Sequence, residues 1–267
     1  MDAKKFEYPS PPVGWGKDVM SEFQAMAIHN EYASFVHTSG WQNAFEKVAG
    51  DLKMCSLYSI ETMLKAPEPA SRLLFMQAHN QFMAAVRMAA SGQCVAAYPL
   101  ARAIVESALY GWYLSTDVEV SRRWHEKPAK RKKNDEWGKE FRFGEMAGKL
   151  DKVKTGRGQW AKSLHQMAID FGAHPNADGL YSNMSKQRVG ENQMLVQMRY
   201  LHTVDRPALL ANKFVIEAGL FALELFALSF AEPCESLRLT EALTAHAARL
   251  SELIEGSRGI MDSESED

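Results

Sequence analysis

Between Arg87 and Asp117 the only Asp, Glu, Lys or Arg side chains are Arg102 and Glu106. They are i and i+4, so on a helix they share one face, about 6 Å apart, and can pair. The stretch that holds them, QCVAAYPLARAIVESALYGWYLST from Gln93 to Thr116, carries no other charge. A helix that is apolar all round is a central helix, which places the pair inside the protein. Burying two charges is expensive, and removing one partner of a buried pair costs about 3 to 5 kcal/mol. Two readings follow. The pair is an intrahelical bridge that also hydrogen-bonds a neighbour, or it lines a polar pocket in which Arg102 clamps an anion or carbonyl and Glu106 orients it or serves as a base.

The second candidate lies in Asp170-Phe171-Gly172-Ala173-His174-Pro175-Asn176. A histidine between a helix end and a Pro-Asn turn has its backbone held, so the ring of His174 can be aimed at a neighbouring helix or can simply hold the loop. Asp170, one turn earlier, is placed to orient that ring as a second carboxylate does. Asn176, Arg87 and His79 complete the candidate binding set. His79, mid-helix among apolar neighbours, also reads as a satisfied core histidine. Convergence of His79, Glu106 and His174 would suit a divalent metal, but no spacing demands it. Ser182, Ser185 and Cys94 have no nucleophile signature around them.

The elements that must position these residues are helical. Asp18 to His37 repeats apolar residues at three and four, and Gly40 separates it from a second helix, Trp41 to Lys65. Pro67 and Pro69 end that one, Ser71 to Ala90 forms the third, and Gly92 turns the chain into the central helix as an antiparallel hairpin. Pro99 starts or kinks the central helix. Residues 121–142 hold nine Lys or Arg against four acids and read as a solvated connection or as a docking surface for phosphate-bearing partners. Two short helices follow, 143–154 and 159–171. A small hairpin pairs 180–184 with 193–203. Asp205 and Pro207 cap a long apolar helix to Ala231. Leu237 to Ile254 is amphipathic, with a stripe suited to a homodimer. The expected class is an all-α, up-and-down bundle around a central hairpin at 71–116, with a minor β-hairpin near 180–201. Residues 1–17 read as an extended arm, 18–256 as a single helical domain and 257–267 as a disordered acidic tail.

Composition narrows the class. A chain of 267 residues with 46% hydrophobic and 24% charged residues is an ordinary globule with a sizeable core. A net charge of -2 argues against a general nucleic-acid coat while leaving room for a local basic patch. Three scattered cysteines, Cys55, Cys94 and Cys234, suit free thiols in a reducing cytoplasm. The longest apolar run, Ala218 to Ala231, is too short to cross a membrane and contains Glu224. Glycine-rich phosphate loops and zinc-spaced Cys/His sets are absent from the sequence, so no cofactor is expected.

The helical hairpin, its Gly turn, YPLARAIVESALYGWYL with Arg-x3-Glu, then Asp117, Trp124 and the later His-Pro-Asn turn resemble a bacterial helical family of unknown function similar to abortive-infection and HEPN-like proteins. The resemblance spans roughly residues 70 to 230. It implies a homodimeric bundle and, for HEPN ribonucleases, an Arg a few positions before a catalytic His. No arginine stands before His174, and Arg199/His202 and Arg157/His165 have other spacings, so the guanidinium would come from Arg102 on another helix. Two function classes result. One is a binding or regulatory bundle in bacterial stress or phage defence. The other is an RNA-directed nuclease or nucleotide-handling enzyme, with His174 as acid or base, Arg102 on a phosphate, and the basic run steering RNA.

Overall fold

The computed structural model describes residues 10–128, 131–173, 177–181, 183–190 and 193–262. The described part of the chain is a helical bundle with one small antiparallel hairpin. In chain order the helices are α1 (Val19–His37), α2 (Ser39–Met63), α3 (Ala70–Ala90), α4 (Cys94–Ser115), α5 (Val118–His125), α6 (Arg131–Glu140), α7 (Phe143–Val153) and α8 (Arg157–Ala168). A π-turn, Ile169–Ala173, leads to α9 (Ala177–Tyr181), then β1 (Met184–Gly190) and β2 (Gln193–Met198). The chain closes with α10 (Arg206–Ser229), α11 (Ala231–Ser236), α12 (Leu239–Gly256) and α13 (Arg258–Asp262).

The core forms where α4 packs between α3 and α10. α10 starts cleanly because Asp205 accepts from the Ala208 N–H and Pro207 occupies the first turn. Its Phe214, Ile216, Phe221, Leu223 and Phe226 are fully buried, each worth roughly 1.5–3 kcal/mol of transfer. Close approach sets the geometry. A Cβ on Gly219 would lie 2.5 Å from the Phe82 ring and 2.8 Å from Val48, so glycine lets α10 sit down on α2 and α3. The one acid deep in α10, Glu224, is held by Lys154 at 2.7 Å and Arg157 at 2.6 Å from the turn between α7 and α8.

Several expectations change. Pro99 does not start α4, which runs from Cys94 through it. The missing N–H leaves the Val95 carbonyl without its helical donor, and the π-turn crosses there, where a Cβ on Gly172 would lie 2.7 Å from that oxygen. The basic run is not a bare connection: it folds as α5 and α6, because Trp137 and Phe141 pack on the core and Arg123 forks onto Glu140 at 2.7 and 3.2 Å. The hairpin pairs 184–190 with 193–198, and 177–181 is helical. Residues 258–262, at the start of the expected disordered tail, are helical, and 263–267 lie outside the described residues. The stripe of α12 is met inside the chain: Leu239 and Leu250 are buried and Leu243, Leu253 and Ile254 pack on the core beside α2 and α10. That stripe therefore calls for no second copy. Among the described residues no helix is long and apolar enough to cross a membrane.

Candidate functional site

Arg102 and Glu106 do pair: Nε donates to Oε1 at 2.8 Å. Their burial is the correction. The side chains are 31% and 37% exposed. Besides the long helices α3 and α10, α4 meets the short helices α5, α7 and α8 and the π-turn, and the pair stays partly open to solvent among the described residues.

The third member is His165. Its Nε2 lies 3.1 Å from the same Glu106 Oε1, and its ring stacks on Phe143 at 4.2 Å and 26°. α8 delivers this histidine because Ala161, Leu164 and Ala168 bury the adjoining stripe against the core and leave His165 at its edge. With the carboxylate oxygen accepting a hydrogen bond from Nε2–H, the tautomer this contact requires leaves Nδ1 as a lone pair. Burial, and then the positive charge of Arg102, hold the His165 pKa below its ordinary 6.5, against the upward pull of Glu106. The ring is therefore neutral near pH 7. Among the described residues, neither His165 Nδ1 nor either terminal nitrogen of Arg102 has a partner.

One turn further along α4 the polar groups are spent on architecture. Tyr110 donates to the Phe141 carbonyl at 2.6 Å, and Tyr113 donates to Glu140 at 3.1 Å. Burial and then the charge of Glu106 raise the Tyr110 pKa, so its hydroxyl remains a donor. Lys149 hydrogen-bonds the Tyr113 hydroxyl and lies 4.1 Å from that ring's centroid.

The other sequence candidates do not join the cluster. His174 and Asn176 lie outside the described residues. Asp170 accepts from Gln166 at 2.7 Å. Arg87 is exposed and bridges to Glu31 of α1 at 3.1 Å. His79 bonds Ser56 of α2 through Nδ1 at 3.0 Å, and burial followed by Lys53 lowers its pKa. Among the described residues no group of three His, Cys, Asp or Glu could hold a metal ion.

A second histidine, also missed, makes the most buried polar hub. His202 is 4% exposed, with Nδ1 2.9 Å from Asp205 and Nε2 2.9 Å from Asn183. Its backbone N–H donates to the Gly92 carbonyl at 2.9 Å, and Asn30 of α1 caps both Ser91 and His202 carbonyls at 3.2 Å. Burial opposes the Asp205 charge, but the His202 bond and charge outweigh it and the carboxyl titrates lower than usual. Both ring nitrogens are used, so this histidine joins elements rather than meeting a ligand. The spacing of His202 and Asp205 was the available signal; for His165 there was none, because 59 residues separate it from Glu106.

No protein-family profile, curated protein or solved structure matches the chain.

Proposed function

We propose that the chain is a ligand-recognising regulatory bundle whose working face is Arg102, Glu106 and His165, and that the ligand presents a phosphate or carboxylate. The observation that carries this reading is the division of labour in Arg102. Nε is anchored by Glu106, which aims a fork whose terminal nitrogens have no partner among the described residues. A pre-aimed guanidinium suits bidentate recognition of an oxyanion.

A second reading, the HEPN-like one, draws on the His165 tautomer. Nδ1 of a neutral, carboxylate-anchored imidazole could take the proton of a ribose 2′-OH as that oxygen attacks the adjacent phosphorus. The 5′-oxygen would leave with a proton from water, and Arg102 would stabilise the phosphoryl charge. In this reading His165, not His174, is the base.

Both are tested by titrating inorganic phosphate, AMP and a labelled single-stranded RNA against wild type, Arg102→Gln and His165→Asn, with folding checked by circular dichroism. Arg102→Gln is expected to weaken binding about tenfold or more, the worth of one charged hydrogen bond. Equal affinity in a folded Arg102→Gln protein sinks the first reading. Cleavage of the RNA in the presence of EDTA that disappears in His165→Asn selects the second.

A further inference from the structure

A cavity of about 470 Å³ opens between the start of α4, the π-turn, β1 and the first turn of α10. Its size lies within the roughly 300–1,000 Å³ of small-molecule sites. Tyr98, Phe171 and Tyr181 supply aromatic wall, and Arg206 is the one charged side chain among the described residues that line it. Tyr98 and Phe171 lie nearly parallel, 5.6 Å between centroids at 27°, and Phe214 backs Tyr98 at 5.1 Å. Tyr98 is thus packed between Phe171 and Phe214. Cys94 also lines the cavity, but burial pushes its thiol pKa well up, so it is a small apolar wall and not a nucleophile.

Two polar groups there are unsatisfied. Tyr98 is only 5% exposed, yet its hydroxyl has no hydrogen-bond partner among the described residues. That hydroxyl is not one of the fully buried unpaired atoms, so it opens toward the cavity. Arg206, the first residue of α10, also has no partner among the described residues. The neighbouring Asp205 does not neutralise it, because that carboxylate serves His202, the Ala208 N–H and Arg199.

We infer that this cavity binds a small planar aromatic ligand carrying one anionic group, its ring packed among the Tyr98, Phe171 and Tyr181 side chains, its anion on the Arg206 fork and a second acceptor at the Tyr98 hydroxyl. Aryl carboxylates and nucleoside monophosphates share that chemistry. The site is separate from the proposed working face, although Tyr98 lies one turn before Arg102 on α4.

Isothermal titration of the full chain with 1-naphthoate and with AMP, against the neutral 1-naphthalenemethanol and adenosine, tests it and tells the two sources apart. One anionic probe should bind, its neutral partner about tenfold more weakly or worse, and Arg206→Gln should lose about tenfold, as expected for a charge-assisted fork. Phe171→Leu should weaken the anionic and neutral probes together; if that variant does not fold, Tyr181→Leu at the exposed rim takes its place. Arg102→Gln should leave binding unchanged. Failure of both anionic probes to bind folded wild type overturns the proposal. So does binding that survives Arg206→Gln, or binding lost in Arg102→Gln alone, which would assign the ligand to the other face.

Discussion

Exposure decides what the Arg102–Glu106 pair is worth. A dehydrated pair would punish removal of one partner by several kcal/mol, but at about one-third exposure water can resolvate the survivor. Arg102→Ala is therefore expected to cost about 1 kcal/mol or less in urea denaturation; a loss of about 3 kcal/mol or more would mean a far drier pair. His165 carries a pH signature. Burial and Arg102 depress its pKa in the folded state, so the unfolded chain takes up the proton first as pH falls. The stability it contributes is complete above the ordinary value of 6.5 and is lost as pH drops from there toward the folded pKa. His79, depressed by burial and then Lys53, adds in the same window. Denaturation at about pH 7.5 and about pH 5.5 should show this loss, and His165→Gln should reduce it. A pH-independent wild type would remove the argument for a neutral His165.

At the scale of elements, joints between helices rest on single small or capping residues. Gly92 turns α3 into α4 at φ 81, and a Cβ there would lie 2.0 Å from the His202 carbonyl oxygen. Gly92→Ala combines a left-handed backbone with that overlap and should cost about 2 kcal/mol or more. Gly219→Ala meets the Phe82 ring and Val48 instead, and overpacking of that kind costs about 1–3 kcal/mol. Asp205→Ala removes the cap of α10 and a partner of His202 together, so its loss should exceed the roughly 1 kcal/mol typical of a cap alone. A cost no greater than that, measured by thermal denaturation, would show that the His202 hub contributes nothing to stability.

For the whole molecule, α12 is a cover for the α2 and α10 faces. Leu239 and Leu250 are buried, and His246 reaches Asp51 of α2 at 2.7 Å. Ending the chain before Leu239 should therefore cost about 3 kcal/mol or more from those two leucines alone, with a lower melting temperature. A truncated chain as stable as the full one would mean that α12 packs only loosely.

The helical class, the Gly92 turn, the Asp205 cap and the i,i+4 pairing of Arg102 with Glu106 were legible in the sequence. Each is a property of a few adjacent residues: a period, a missing Cβ, a short polar side chain before a helix. Exposure was not legible, because an apolar helix looks central whether its neighbours cover every face or leave one partly open to solvent. Nor was the meeting of His165 with Glu106 or of His202 with Asn183, since residues 59 and 19 positions apart come together only through packing. Pro99 and Gly172 make the same point. Local rules read one as a helix breaker and the other as a loop residue, but the π-turn crossing α4 at Val95 draws on both. By itself the sequence determined the long helices of the bundle; the packing of α7, α8 and the π-turn on α4 decided which charged groups face water and which histidine stands beside the arginine.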